Sequence, residues 1–282
     1  MIKALIVGIN DYAPVGAGGP DLRGCVNDAS CIANTLVTRC GFPSTNIRIL
    51  TDRNATRMNI LRYLQWLLAN CKAGDSLVFY YSGHGTRLVN IGPDLEIDGF
   101  DEAICPHDYA TAGCIRDDDF SAIFRALLKP KVNLDVMFDS CFSGTATRDF
   151  GIEEGNENEM VYNGIRYIPP MLDDAFHFTF ENQLDESVVT PKSTKVIVIV
   201  PEMNHVLWSA CRDSQVSQEG NIGGKIRGYF TYCLCNALYA TGGNILRYVL
   251  DNQIKGCLAA LKVSQINQTE GPRTELIQKI FT

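Results

Sequence analysis

Short apolar, β-branched runs alternate along this chain with segments of helical period. Ala4–Ile9, Ile47–Leu50, Ser76–Tyr81 and Val132–Phe138 place apolar residues side by side without polar alternation, which predicts strands buried on both faces. Between them, Asp28 stands where an N-cap would open a helix through Ala29, Ile32, Ala33, Leu36 and Val37, stopped by Gly41 and Pro43. Asn59–Asn70 gathers Ile60, Leu61, Leu64, Leu67 and Leu68 on one face, and Phe120–Leu128 forms a further helix ended by Pro130. Later in the chain, Lys195–Val200 and Val206–Ala210 read as strands, Tyr229–Ala240 and Ile245–Leu261 as helices, and Glu275–Phe281 as a closing strand. Strands alternating with helices of this length imply βαβ units. The expected fold is α/β, a mostly parallel central sheet flanked by helices on both faces.

One stretch breaks the rhythm. Gly151–Lys192 is rich in Glu, Asn, Asp and Pro and keeps no period, so it reads as a surface insertion rather than a second core. The simplest division is one domain over 1–282: an N-terminal portion (residues 1–148), a polar insertion (149–194) and a C-terminal portion (195–282).

Composition narrows the function classes. With 46% hydrophobic and 20% charged residues, the chain has the balance of a protein with a sizeable buried core. A net charge of −7 without a Lys/Arg cluster argues against nucleic acid as a partner. No apolar run approaches the ~20 residues of a membrane span, so no membrane partner is expected. Eleven cysteines, an odd number, in a chain of 282 residues with no signal-peptide pattern at Met1–Leu5 point to reduced thiols in the cytoplasm. Cys233-x-Cys235 reads as packing, and neither the cysteines nor the four histidines show zinc spacing. Neither Gly-rich phosphate-binding motif occurs, which removes the reading as a nucleotide-binding domain.

The chemistry concentrates at two predicted strand ends, Tyr80-Tyr81-Ser82-Gly83-His84-Gly85 and Asp139-Ser140-Cys141-Phe142-Ser143-Gly144. The carboxyl ends of strands in an open α/β sheet are where such proteins place ligands. His84 is flanked by glycines, which keep neighbouring side chains out of a reacting site, and the amide of Gly85 is free to meet a developing oxyanion. Cys141 follows about 57 residues later. An imidazole that takes a thiol's proton lowers the thiol's pKa from ~8.5 toward neutrality or below, which is the logic of a cysteine hydrolase.

These segments resemble the metacaspases, caspase-like cysteine peptidases. The likeness extends over Lys3–Asn10, Leu22–Ala29, Tyr81–Gly85, Glu96–Ala103, Asp139–Gly144, Ser209–Gln215 and Gly228–Tyr232, seven pieces in family order, and excludes Gly151–Lys192. The resemblance implies a caspase-like fold and a His84–Cys141 dyad, with the amides of Gly85 and Cys141 as oxyanion hole. It also implies cleavage of protein or peptide substrates after Arg or Lys, with Cys25, Asp28, Ser82 and Asp139 as the S1 pocket. Ser82 and Asp139 each stand two residues before the dyad, so strand alternation places them on its side, and carboxylates suit a guanidinium or ammonium.

Two further expectations follow from the same resemblance. Calcium activation is expected through Asp98, Asp101, Asp117 and Asp118, with no organic cofactor; the plainer reading of Asp117–Asp119 is a helix N-terminal turn suited to its dipole. The resemblance also implies self-cleavage between the two portions, at Arg148, Arg166, Lys192 or Lys195; the plainer reading of these residues is a solvated linker that is never cut. Metacaspases also suggest a monomer. The competing class is a caspase-like module that recruits partners without catalysis, which an intact dyad disfavours.

Overall fold

In a computed structural model, residues 1–12, 21–89, 100–142, 164–168, 204–212 and 215–282 are described. The apolar runs form the middle of a six-stranded sheet. Strands β1 (Ile2–Gly8), β2 (Ile47–Thr51), β3 (Ser76–Ser82), β7 (Asn133–Asp139), β8 (Val206–Ser209) and β11 (Gln268–Glu270) lie in the order β11-β8-β7-β3-β1-β2. All neighbours are parallel except β11 with β8. The alternation of side chains divides two cores. Leu5, Val7, Phe79, Val136 and Phe138 face one side, with Ile60, Leu64 and Leu67 of α2 (Arg57–Leu68). Ala4, Ile6, Val78, Tyr80 and Met137 face the other. There they meet α1 (Cys25–Thr38) and two later helices, Tyr229–Thr241 and Arg247–Ala260. The expected α/β layering is what the chain adopts.

Smaller elements hang from this frame. Strands β4 (Gly85–Val89), β5 (Phe100–Ile104) and β6 (Ile115–Arg116) make an antiparallel sheet. The single turn α3 (Tyr109–Ala112) and helix α4 (Asp117–Leu127) follow in the same region. A hairpin of β9 (Glu219–Ile222) and β10 (Lys225–Gly228) turns through Gly223 and Gly224, at φ +61° and +84°. Two consecutive left-handed positions are what a tight hairpin turn demands and glycine supplies. Helices α5 (Tyr229–Thr241), α6 (Arg247–Ala260) and the turn α7 (Arg273–Leu276) follow the hairpin, and short 3-10 turns at Ser44–Asn46 and Asp52–Asn54 flank β2.

Several expectations change. Helix α1 starts three residues before Asp28, because the Asn10 side chain accepts from the amides of Cys25 and Val26 at 2.8 and 3.2 Å and so caps the helix from outside it. Asp28 is thereby freed from capping and turned into the core. Likewise α2 begins earlier, with Thr56 capping the amide of Asn59. The closing segment Glu275–Phe281 is not a strand: α7 overlaps it, and it contributes one bridge, Leu246 to Lys279. Cys233 is not simple packing. It is disulfide-bonded to Cys257 where α5 crosses α6, leaving nine free cysteines. The strand expected at Lys195–Val200 lies outside the described residues. No helix among the described residues is long and apolar enough to cross a membrane.

Candidate active site

Register brings the two chemistry-bearing segments together. Ser82 of β3 lies directly opposite Asp139 of β7, so both strands end at one level and release His84 and Cys141 side by side. The His84 backbone is held from two sides. Its N–H donates to the Tyr12 hydroxyl at 2.7 Å, and its carbonyl accepts from the Tyr81 hydroxyl at 2.7 Å. The Tyr12 ring stands 4.8 Å from the imidazole. The Cys141 thiol donates to the Gln215 carbonyl at 3.3 Å, and the Cys211 thiol shares that acceptor at 3.4 Å.

Residues 164–168, expected to be part of a surface insertion, are instead seated between these elements. The amide of Arg166 donates to Ser217 O at 3.2 Å, and that of Glu219 donates to Gly164 O at 3.1 Å. On the other side, Ile168 N donates to Gly85 O at 3.0 Å. The segment therefore runs as an added strand, antiparallel to Gln218 and parallel to Gly85. At its centre, the Arg166 carbonyl oxygen accepts from Gly85 N at 3.0 Å and from Cys141 N at 3.2 Å. Both His84 and Cys141 are fully buried.

The guanidinium of Arg166 enters a pocket of carboxylates. Its Nη2 donates to Asp28 Oδ2 at 2.6 Å and to Glu219 Oε2 at 2.9 Å. Its Nη1 reaches Ser82 Oγ at 2.9 Å, Asp139 O at 3.0 Å and Asp139 Oδ1 at 2.8 Å. No side-chain surface of Arg166, Asp28, Asp139 or Glu219 is exposed. The carboxylates are braced by their own donors. Gly228 N donates to Asp28 at 3.1 Å, while Ser217 Oγ and Thr231 N reach Asp139 at 2.7 and 3.1 Å. Gly228 must lack a side chain: a Cβ there would collide with Asp139 Oδ2 and stand 2.7 Å from the guanidinium.

Burial works against every charge in this pocket. It pushes Asp28 up to about 6, with Arg166 pulling back and Asp139 adding to the rise. It pushes Glu219 up to about 7, opposed by the amides of Arg23 and Gly24. Cys25, whose thiol lies 3.8 Å from Glu219, is raised well above the ordinary thiol range by burial. For Arg166 burial disfavours the cation, but the surrounding acids overcome it and hold the guanidinium charged.

Of the residues singled out from the sequence, Gly85 and Cys141 meet at one carbonyl, with His84 directly before Gly85 in the chain, and Cys25, Asp28, Ser82 and Asp139 surround one guanidinium. Strand alternation is not what joins the two sets, because β3 and β7 end at Ser82 and Asp139; the backbone and side chain of Arg166 span them. Glu219 and Ser217 were not anticipated, and Gly228 and Thr231, though inside the Gly228–Tyr232 piece of the resemblance, were given no role. A Gly-Gly pair such as Gly223-Gly224 is a hairpin signal that could have located the turn after Glu219, but nothing local gives the direction of its side chain.

The acidic cluster fares differently. The buried Asp101 is paired with Arg116 Nη1 at 2.6 Å, and Asp117 and Asp118 form the first turn of α4. Asp98 lies outside the described residues. Among the described residues, no group of three or more acidic, Cys or His side chains stands ready for a metal ion. Arg148, Lys192 and Lys195 also lie outside them.

Comparison with known proteins identifies the family. Residues 2–149, just over half the chain, match the family model described as "Metacaspase, peptidase C14 domain". The chain is 32% identical over 259 residues to Metacaspase-1A of Aspergillus fumigatus, covering 84% of this chain and 60% of that protein. It is 46% identical over 151 residues to Metacaspase-1B of Aspergillus oryzae, covering 51% and 35%. The chain thus spans about 60% of the length of the first of these relatives. In structure it resembles protein GSU0716 from Geobacter sulfurreducens, with a TM-score of 0.68 at 23% identity over 100% of this chain and 98% of that one, a likeness of fold. With a family model matched over more than half its length and curated relatives at 32% identity, the chain belongs to the metacaspases of peptidase family C14.

Proposed function

We propose that this chain is a cysteine endopeptidase that cleaves after Arg or Lys, and that its first substrate is its own Arg166–Tyr167 bond. One observation carries the reading: Arg166 presents its carbonyl oxygen to two amides while its side chain fills an acidic pocket. In the reaction, His84 takes the proton of the Cys141 thiol and the thiolate adds to the Arg166 carbonyl carbon. The oxyanion that develops faces Gly85 N and Cys141 N, donors already in place. His84 then protonates the departing amine of Tyr167 as the C–N bond breaks, leaving a thioester on Cys141. Water deprotonated by His84 hydrolyses it and frees the thiol. Acid–base help of this kind is typically worth ~10²–10⁴-fold in rate.

The seated strand also explains how a catalytic thiol can be fully buried in the uncut chain: residues 164–168 cover it. Calcium enters this reading as an arm of the test. Asp101 is a buried candidate ligand whose charge Arg116 already balances, so binding the ion there costs that pair.

The experiment follows the intact mass and the new N-terminus of the purified chain, with chelator and with added calcium. Appearance of an N-terminus at Tyr167, lost in Cys141→Ala and in Arg166→Ala, is the expected result. Peptides with Arg, Lys or Asp before the scissile bond are assayed in parallel. Asp-selective turnover, or activity that survives Cys141→Ala, sinks the reading.

A further inference from the structure

Glu219 is the pocket carboxylate that no sequence motif announced. It opens β9, and it meets the seated strand twice. Its N–H donates to the Gly164 carbonyl at 3.1 Å, two residues before Arg166, and its Oε2 accepts from Arg166 Nη2 at 2.9 Å. The carboxylate is itself held rigid. Arg23 N donates to Oε1 at 2.7 Å and Gly24 N to Oε2 at 3.0 Å, at the entrance to helix α1. One residue thus grips both the backbone of the incoming strand and its basic head.

The acceptors around the guanidinium fall into two groups. Asp28 and Glu219 serve Nη2, whereas Ser82 and Asp139 serve Nη1. A planar fork has two such nitrogens at fixed spacing, and a lysine ammonium is one compact point. An ammonium drawn to either group leaves the other group of buried acceptors unmatched, and unmatched buried polar groups penalise the wrong ligand strongly. Resting on the peptidase reading above, we infer that Glu219 is a specificity determinant of the S1 pocket, holding Nη2 so that the site prefers Arg over Lys.

The test measures kcat/KM of the full chain on two matched fluorogenic amides, acetyl-Gly-Ile-Arg and acetyl-Gly-Ile-Lys. The parent is expected to favour Arg by at least about tenfold. Glu219→Gln is expected to lower the Arg value about 10- to 100-fold, the range of one charge-assisted hydrogen bond. On Lys it should change by less than about threefold, so the ratio collapses toward one. Glu219→Asp, which keeps the charge but shortens the reach, is expected to lower the ratio by at least about threefold; it decides the matter if Glu219→Gln does not fold. Equal turnover of the two amides by the parent overturns the inference while leaving the peptidase reading intact. A proportional loss on both substrates also overturns it, because Glu219 would then only brace the hairpin. A parent that cuts neither amide fails the peptidase reading itself.

Discussion

Asp28 and Glu219 carry proton affinities set by burial, and their direction decides how the pocket responds to pH. Both are raised above the ordinary carboxyl range, to about 6 and about 7. As pH falls through 7 and then 6, the folded pocket takes up protons that an unfolded chain, with carboxyl pKa values near ~4, would not yet bind. These two groups therefore make the folded state less stable, not more, as pH rises from ~4 to ~7. Guanidinium binding runs the other way, since it needs the ionised acids. We expect benzamidine to bind a Cys141→Ala, Arg166→Ala chain at least about tenfold more tightly at pH 8 than at pH 5.5. Calorimetry on that chain avoids the thiol, and an affinity flat across this range would show that the pocket acids do not titrate there. Asp28 also shows how far a single residue can be read. Its sequence position suited an N-cap, and its acidic character suited S1. Asn10, fifteen residues before Cys25 in the chain but adjacent to it in space, took over the capping.

At the level of elements, the sheet is tied to its second helical layer by one buried ion pair. Arg247 of α6 donates through Nε and Nη2 to Asp135 of β7 at 2.8 and 2.9 Å, and Trp208 Nε1 of β8 donates to the same carboxylate at 3.0 Å. Both charged side chains are essentially unexposed. Arg247→Ala leaves Asp135 buried with the indole as its one remaining hydrogen-bond partner among the described residues, a change of the class that costs about 3–5 kcal/mol. Thermal or urea unfolding should register that loss, and a change below about 1 kcal/mol would mean that water replaces the guanidinium. Element existence was largely legible in the sequence here: β1, β2, β3 and β7, with α1, α2 and α4, follow the apolar periods. What failed were ends and partners. Helix starts moved where a cap came from outside the helix, as at Cys25. The segment Glu275–Phe281 reads as a short apolar-containing closing strand, but its apolar residues come in pairs (Leu276-Ile277, Ile280-Phe281) rather than alternating, and Ile280 packs into the helical layer rather than pairing in the sheet.

For the molecule as a whole, the chain serves as its own ligand. Five residues from the predicted insertion bridge the N-terminal portion, through Gly85 and Cys141, and the C-terminal portion, through Ser217 and Glu219. The side chain of Arg166 anchors them, so the backbone hydrogen bonds at Arg166 and Ile168 should depend on it. In a Cys141→Ala chain, which stays uncut under the proposed mechanism, amide exchange across 164–168 is expected to be slow. Adding Arg166→Ala should speed it by at least about tenfold; equal protection in both chains would assign the seat to the backbone alone. The apolar runs by themselves determined the layered α/β sheet, and the motifs at its strand ends determined that a histidine, a thiol and one acid, Asp139, leave the same sheet edge, because both are properties of local order along the chain. Only the tertiary structure decided that a third acid, Glu219, completes the pocket and that Arg166 fills it. Those contacts join residues 27 to 196 positions apart, and no local period records which distant side chain a fold will turn inward.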